Sequence, residues 1–126
     1  MIKFTLLFLL VLTLNAFVVE SSYSIAQQKA KKLEKVLMVF LVNDGCEECN
    51  RELSKLLKNT KISALIEKQA VFTIVHREQQ QSYPIEILFT QEFPTLYFLD
   101  ASELFECDSL RGTIEIDKVE TCLLFQ

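Results

Sequence analysis

The 126 residues predict an α/β fold, and three observations carry that expectation. Val36–Val42 is a run of seven apolar residues, β-branched at intervals and too short for an ordinary core helix, so it reads as a strand buried on both faces. Residues 70–75 (AVFTIV) repeat the pattern after a helical stretch. Strand, helix and strand in that order form a βαβ unit, which implies parallel pairing and a right-handed crossover. Residues 95–99 (TLYFL) and 104–107 (LFEC) then flank the polar residues 100–103, the pattern of an antiparallel hairpin.

At the N-terminus, residues 4–19 are almost unbroken apolar residues behind Met1, Ile2 and Lys3, and Glu20, Ser21 and Ser22 follow. A positive start and a short apolar stretch are the layout of a secretory leader. The run falls short of the roughly 20 apolar residues that cross a bilayer comfortably. Residues 1–24 are therefore expected to be a signal peptide or, retained, an N-terminal membrane anchor. Candidate cleavage sites lie near Ala16 and at Ser22-Tyr23-Ser24. Residues 25–126 are the expected folded domain, with a periplasmic or otherwise extracytoplasmic location. There disulfides form and persist.

Within the domain, residues 25–35 hold strong helix formers and no breaker, so a first helix is expected. Asn43-Asp44-Gly45 ends the first strand. Residues 46–58 follow as a helix with acids in the first turn and lysines near the end, matching the macrodipole. Residues 60–69 give further helical turns with Ile62, Leu65 and Ile66 on one face. Gln79-Gln80-Gln81 reads as a polar loop. Residues 82–89 open with Ser82 as a candidate N-cap and Pro84 near the first helical position, which predicts a short helix. Residues 115–125 close the chain as a helix turning Ile116, Val119 and Leu123 inward.

Composition narrows the function. The chain is 50% hydrophobic and 24% charged, so it can build a core and is too apolar for disorder. A net charge of −4 lacks the basic footprint of a nucleic-acid binder. Lys29, Lys31, Lys32 and Lys35 read as the solvated face of a helix, or as a contact for lipid headgroups.

The chemistry concentrates in Cys46-Glu47-Glu48-Cys49, a C-x-x-C at the junction of a buried strand and a helix. A helix N-terminus offers unpaired N–H groups and partial positive charge, which stabilise a thiolate at the first cysteine. Cys49 shares a helical face with Leu53, Leu56 and Leu57, so it is expected to be buried while Cys46 sits at the tip. An accessible attacking thiol beside a shielded one suits thiol–disulfide exchange. The competing reading is a structural disulfide. Four-cysteine zinc binding lacks a second C-x-x-C, since Cys107 and Cys122 stand far apart, and covalent haem attachment needs a histidine where Asn50 stands. No metal or cofactor is expected. Glu47 and Glu48 are either first-turn acids or redox-tuning groups, and His76 reads as a solvated strand-end residue.

From Cys46-x-x-Cys49 in VFLVNDGCEEC, together with Glu92-Phe93-Pro94-Thr95-Leu96-Tyr97-Phe98-Leu99-Asp100 and Gly112 before the last helix, the chain resembles the thioredoxin family, closest to its small secreted members. The resemblance covers residues 25–125. It implies a three-layer α/β/α sandwich around a mixed central sheet. It also implies a cis peptide before Pro94, packed against the active-site disulfide, with Gly45, Phe93 and Pro94 contacting substrate. The expected activity is thiol–disulfide exchange by a monomer acting on protein dithiol or disulfide substrates with a redox partner protein, tethered or not through residues 4–19. A non-catalytic thioredoxin-fold binding module is the alternative. Two departures stand out. Gly45 replaces the aromatic common before the first cysteine, and Phe40 replaces the buried carboxylate six residues before it. Asp44, Glu48 or water would then have to accept the second thiol's proton. In the family's layout the closing helix crosses the sheet, which allows a Cys107–Cys122 disulfide. Two separate thiols are favoured, because packing through Ile116, Val119 and Leu123 turns Cys122 only partly inward.

Overall fold

The computed structural model describes residues 16–125. The expected leader or anchor, residues 1–15 of it, lies outside the described residues. Elements run β1 (Val19–Glu20), α1 (Tyr23–Leu33), β2 (Val36–Val42), α2 (Glu47–Lys58), α3 (Thr60–Gln69), β3 (Ala70–His76), β4 (Thr95–Leu99), β5 (Phe105–Arg111) and α4 (Ile116–Leu124). Five strands form one mixed sheet in the order β1-β3-β2-β4-β5. β3 pairs parallel with β1 and β2, while β4 pairs antiparallel with β2 and β5. Among the described residues, no helix is long and apolar enough to cross a membrane.

The expected layers are present, and β2 explains them. All seven of its residues are buried. Val36, Met38, Phe40 and Val42 join one core with Cys49, Leu56, Ile62, Ile66, Val119 and Leu123, so α2, α3 and α4 cover that face. Leu37, Val39 and Leu41 join the other core with Tyr23, Ala26 and Ala30 of α1. Alternation along a strand sends successive side chains to opposite faces, so a fully apolar strand needs a layer on each side.

Residues before position 25 also take part in the packing. Phe17 is buried and packs on Phe72 with ring centroids 4.6 Å apart. Val19 and Glu20 pair with Phe72 and Thr73. Ser22 caps α1, its hydroxyl accepting the Ile25 N–H at 3.2 Å. A two-residue strand lies below what hydrophobic periodicity resolves.

Residues 82–89 do not form the expected helix. Gln80–Ser82 is a 3₁₀ turn, and Pro84 makes one further turn, its carbonyl accepting the Ile87 and Leu88 N–H groups. Tyr83 is held extended before the proline, which prevents helical continuity across it. Tyr83 and Leu88 are buried against the α1 face instead. β5 runs longer than 104–107, through Asp108 and Ser109, whose weak strand propensity hid the extension.

Cys107 and Cys122 form a disulfide, with Cα atoms 6.1 Å apart, which corrects the expectation of two separate thiols. Cys107 pairs with Phe98, so both face the core that α4 covers. Cys122 is buried alongside Val119 and Leu123, and Ile116 is only partly buried. The bridge spans 15 residues, a loop for which chain-entropy arguments assign about 3 kcal/mol. Replacing both cysteines by alanine is expected to lower the unfolding free energy by about that amount in oxidising buffer. Denaturant titration checks this, and an unchanged midpoint would show that the bridge adds nothing.

Candidate functional site

The sheet brings three chain segments together at one end. β2 ends at Val42, which lies opposite His76, the last residue of β3. On the other side Leu41 lies opposite Thr95, the first residue of β4, so Pro94 sits at the same end. The loop carrying the cysteines leaves from this end. Gly45 has φ +69°, a left-handed conformation that disfavours any residue with a Cβ, although nothing lies within 4 Å of where that atom would be. The turn therefore needs glycine for its backbone rather than for space.

Cys46 is the N-cap of α2 and is half-buried, whereas Cys49 is buried in the first turn. The two form a disulfide with Cα atoms 5.2 Å apart. The Cys49 N–H points at Cys46 Sγ at 3.0 Å. An N–H donor and the positive end of α2 both meet the first sulfur, and both favour its thiolate once the pair is reduced. Glu47 and Glu48 are exposed in the first turn and oppose that effect.

The Phe93–Pro94 peptide is cis, as the resemblance implied. A small polar network shapes its approach. Thr95 Oγ1 donates to the Glu92 carbonyl at 2.6 Å, and the Glu92 N–H donates to Thr90 Oγ1 at 3.1 Å. On the far side, the Gly112 N–H donates to the Pro94 carbonyl at 2.8 Å. Phe93 is half-buried against both cores, and the Arg77 guanidinium lies 5.9 Å from its ring centroid. Its side chain is committed within the protein, which leaves its backbone for contact.

The buried carboxylate of this site is one that pattern reading missed. Phe40 is fully buried against Phe72, and Asp44 and Glu48 are exposed. Glu52, one turn beyond Cys49, is 5% exposed and is the only buried charged residue among those described. Its Oε1 accepts the Ile114 N–H and binds Lys55 Nζ, both at 2.7 Å. Burial alone would push its pKa up. The Lys55 and Ile114 hydrogen bonds outweigh that and hold it below the ordinary range. The clue was present: an acid three residues after Cys49 stands inside the apolar stripe, which centres on Cys49, Glu52 and Leu56. Glu52 ties the cysteine helix to the segment that runs from Gly112 to α4.

Near Cys46, Asp44, His76 and Glu78 hold potential ligand atoms all within 4.8 Å of one another, and all three residues are exposed. Glu78 also accepts the Asp44 N–H at 3.3 Å. His76 is the solvated strand-end residue that its position in the chain implied.

Solved structures share this architecture. DsbH oxidoreductase aligns with a TM-score of 0.67 at 18% identity, over 88% of this chain and 87% of that one. A thioredoxin from Thermus thermophilus aligns at 0.68 and 18% identity, covering 87% and 85%. A poplar thioredoxin h aligns at 0.65 and 15% identity, covering 89% and 98%. The chain therefore has the thioredoxin fold. An uncharacterized protein of Borreliella burgdorferi is 27% identical over 82 residues, 65% of this chain. The matched segment spans about a third of that relative, 34% of its length. No protein-family model matches the chain.

Proposed function

We propose that the protein is an extracytoplasmic thiol–disulfide oxidoreductase that works as a reductant through Cys46 and Cys49. One observation carries the reading: a half-buried sulfur caps α2 and receives an N–H, while its disulfide partner is buried one turn below. That asymmetry separates an attacking from a resolving sulfur. The structural neighbours include proteins named as oxidoreductase and thioredoxin, which supports the same reading.

In the reaction, the Cys46 thiolate attacks one sulfur of a substrate disulfide. The substrate S–S bond breaks, a Cys46–substrate disulfide forms, and the departing sulfur takes a proton. Deprotonated Cys49 then attacks Cys46 Sγ, releasing the second substrate thiol and closing the Cys46–Cys49 disulfide. Two electrons and two protons have passed to the substrate, and a partner dithiol protein returns them. Gly45 and the Phe93–Pro94 backbone line the approach to Cys46 for an extended substrate segment.

Cys49→Ser is expected to trap mixed disulfides with partner proteins, and Cys46→Ser to trap none. Non-reducing electrophoresis after acid quenching reads the result. Trapping by the Cys46 variant would reverse the roles, and trapping by neither would favour a binding module.

The reducing poise rests on Glu47 and Glu48. Their charges oppose the helix dipole and leave the reduced thiolate less stabilised, which lowers the potential. Equilibration with glutathione is expected to place the pair near the thioredoxin value of about −270 mV, far below the roughly −120 mV of strongly oxidising relatives. Replacing both acids with Gln should raise it. Exposure and salt screening make the rise modest, but no rise at low ionic strength would remove these residues from redox tuning.

Export rests on the composition of residues 1–24, and the packing of residues 17–22 favours the candidate cleavage site near Ala16. Cutting at Ser22-Tyr23-Ser24 would discard Phe17, β1 and the α1 cap, all integrated in the domain. Cutting near Ala16 keeps them. N-terminal sequencing of exported protein should therefore begin at or just before Phe17. A start at Ser24 or Ile25 would refute the site, and full-length protein in the membrane fraction would show a retained anchor.

A further inference from the structure

A cavity of about 480 Å³ opens beside Cys46, between the start of α2 and the end of β3. Its floor is apolar, made by Phe40, Val42, Leu53 and Ile74. Its rim is polar and largely acidic: Asp44, Glu47 and His76 line it, and Glu78 brings a further carboxylate to Asp44 and His76. Cys46 itself is part of the wall, so whatever fills the cavity lies next to the sulfur that attacks. Val42 stands at the end of the strand and Gly45 before the cysteine, and Phe40 is fully buried with its ring centroid 6.0 Å from that of Phe72.

An apolar floor under a ring of carboxylates matches one kind of side chain, a long aliphatic stem ending in a cation. Lys and Arg bury their stems on apolar surface and keep the charged head at the solvent edge. The Arg77 guanidinium lies 5.9 Å from the Phe93 ring centroid and also attracts Glu78, so the rim charge offered to a substrate cation centres on Asp44 and Glu47. A wholly apolar side chain would bring no charge to Asp44 and Glu47, and an acidic one would meet like charge. We propose that this cavity is a specificity pocket for a Lys or Arg side chain flanking the substrate's reacting cysteine. The inference rests on the oxidoreductase reading and deepens it: preferred substrates are disulfides in basic sequence.

The test uses the purified protein, reduced beforehand, in single-turnover reactions with symmetric peptide disulfides. The peptides differ only in the residues flanking cysteine, which are Lys, Leu or Glu. Exposed ion pairs contribute little individually, but two or three around a buried stem give an expected Lys-over-Leu rate ratio of about tenfold, with Glu slowest. The ratio should shrink severalfold in 0.5 M salt. Asp44→Asn, at an exposed position that does not endanger folding, should reduce it, and Val42→Phe should bring it close to one by filling the floor. Equal rates for Lys and Leu peptides in the unsubstituted protein would overturn the pocket, as would a ratio intact in both variants. If no peptide is reduced at all, the oxidoreductase reading itself fails, and the pocket with it.

Discussion

Seven consecutive apolar residues with no polar partner among them can be stable in only one kind of place, the middle of a sheet covered on both faces. Val36–Val42 is that strand, and the remaining architecture is organised by its burial. One face requires three helices and the other one helix plus the turn at Pro84. Its two edges require partners as well, parallel β3 on one side and antiparallel β4 on the other. Because β2 is central, the loop at its end is flanked by the ends of both neighbours. The cysteines, the end of β3 and the cis peptide at Pro94 therefore converge without any element being bent toward them.

The site divides its tasks between backbone and side chains. Backbone supplies the left-handed turn at Gly45, the donor from Cys49 N–H and the hold of Gly112 on the Pro94 carbonyl. Side chains supply the fastening. Thr90 and Thr95 brace the approach to Pro94, and Glu52 fastens α2 to the segment before α4. The Cys107–Cys122 bridge fastens α4 to β5 from the other end. The two cysteine pairs thus differ in setting: one caps a helix at the protein surface, the other joins an outer strand to a helix over the core.

Phe40 and Glu52 together show how charge is redistributed in this version of the fold. An aromatic ring occupies the strand position where the family resemblance implies an acid, and a hydrogen-bonded, ion-paired carboxylate lies on the helix instead. A buried charge persists only when paired and hydrogen-bonded, and Glu52 has both partners. Its pKa is held low, so it is a better clamp than a proton acceptor.

By itself the sequence determined the elements whose signals are local: the largely apolar strands β2, β3 and β4, the helices α2 and α3, the closing helix, and the placement of Cys46 at a helix tip with Cys49 beneath it. Those follow from periodicity, charge placement along the helix and turn residues, which act within a few positions of the chain. Other features depended on tertiary structure. β1 is too short to be seen without β3 beside it. Residues 82–89 were helical in pattern yet turn only once after Pro84, because Tyr83 is held extended before the proline and buried against the α1 face. Whether Cys107 and Cys122 meet depends on how α4 seats against β5, which no local pattern encodes. The helical stripe marks Glu52 as facing the core, but its partner Ile114, 62 residues away in the chain, is set by the tertiary structure. Each of these outcomes is a contact between distant segments, and such contacts exist only when the chain has closed.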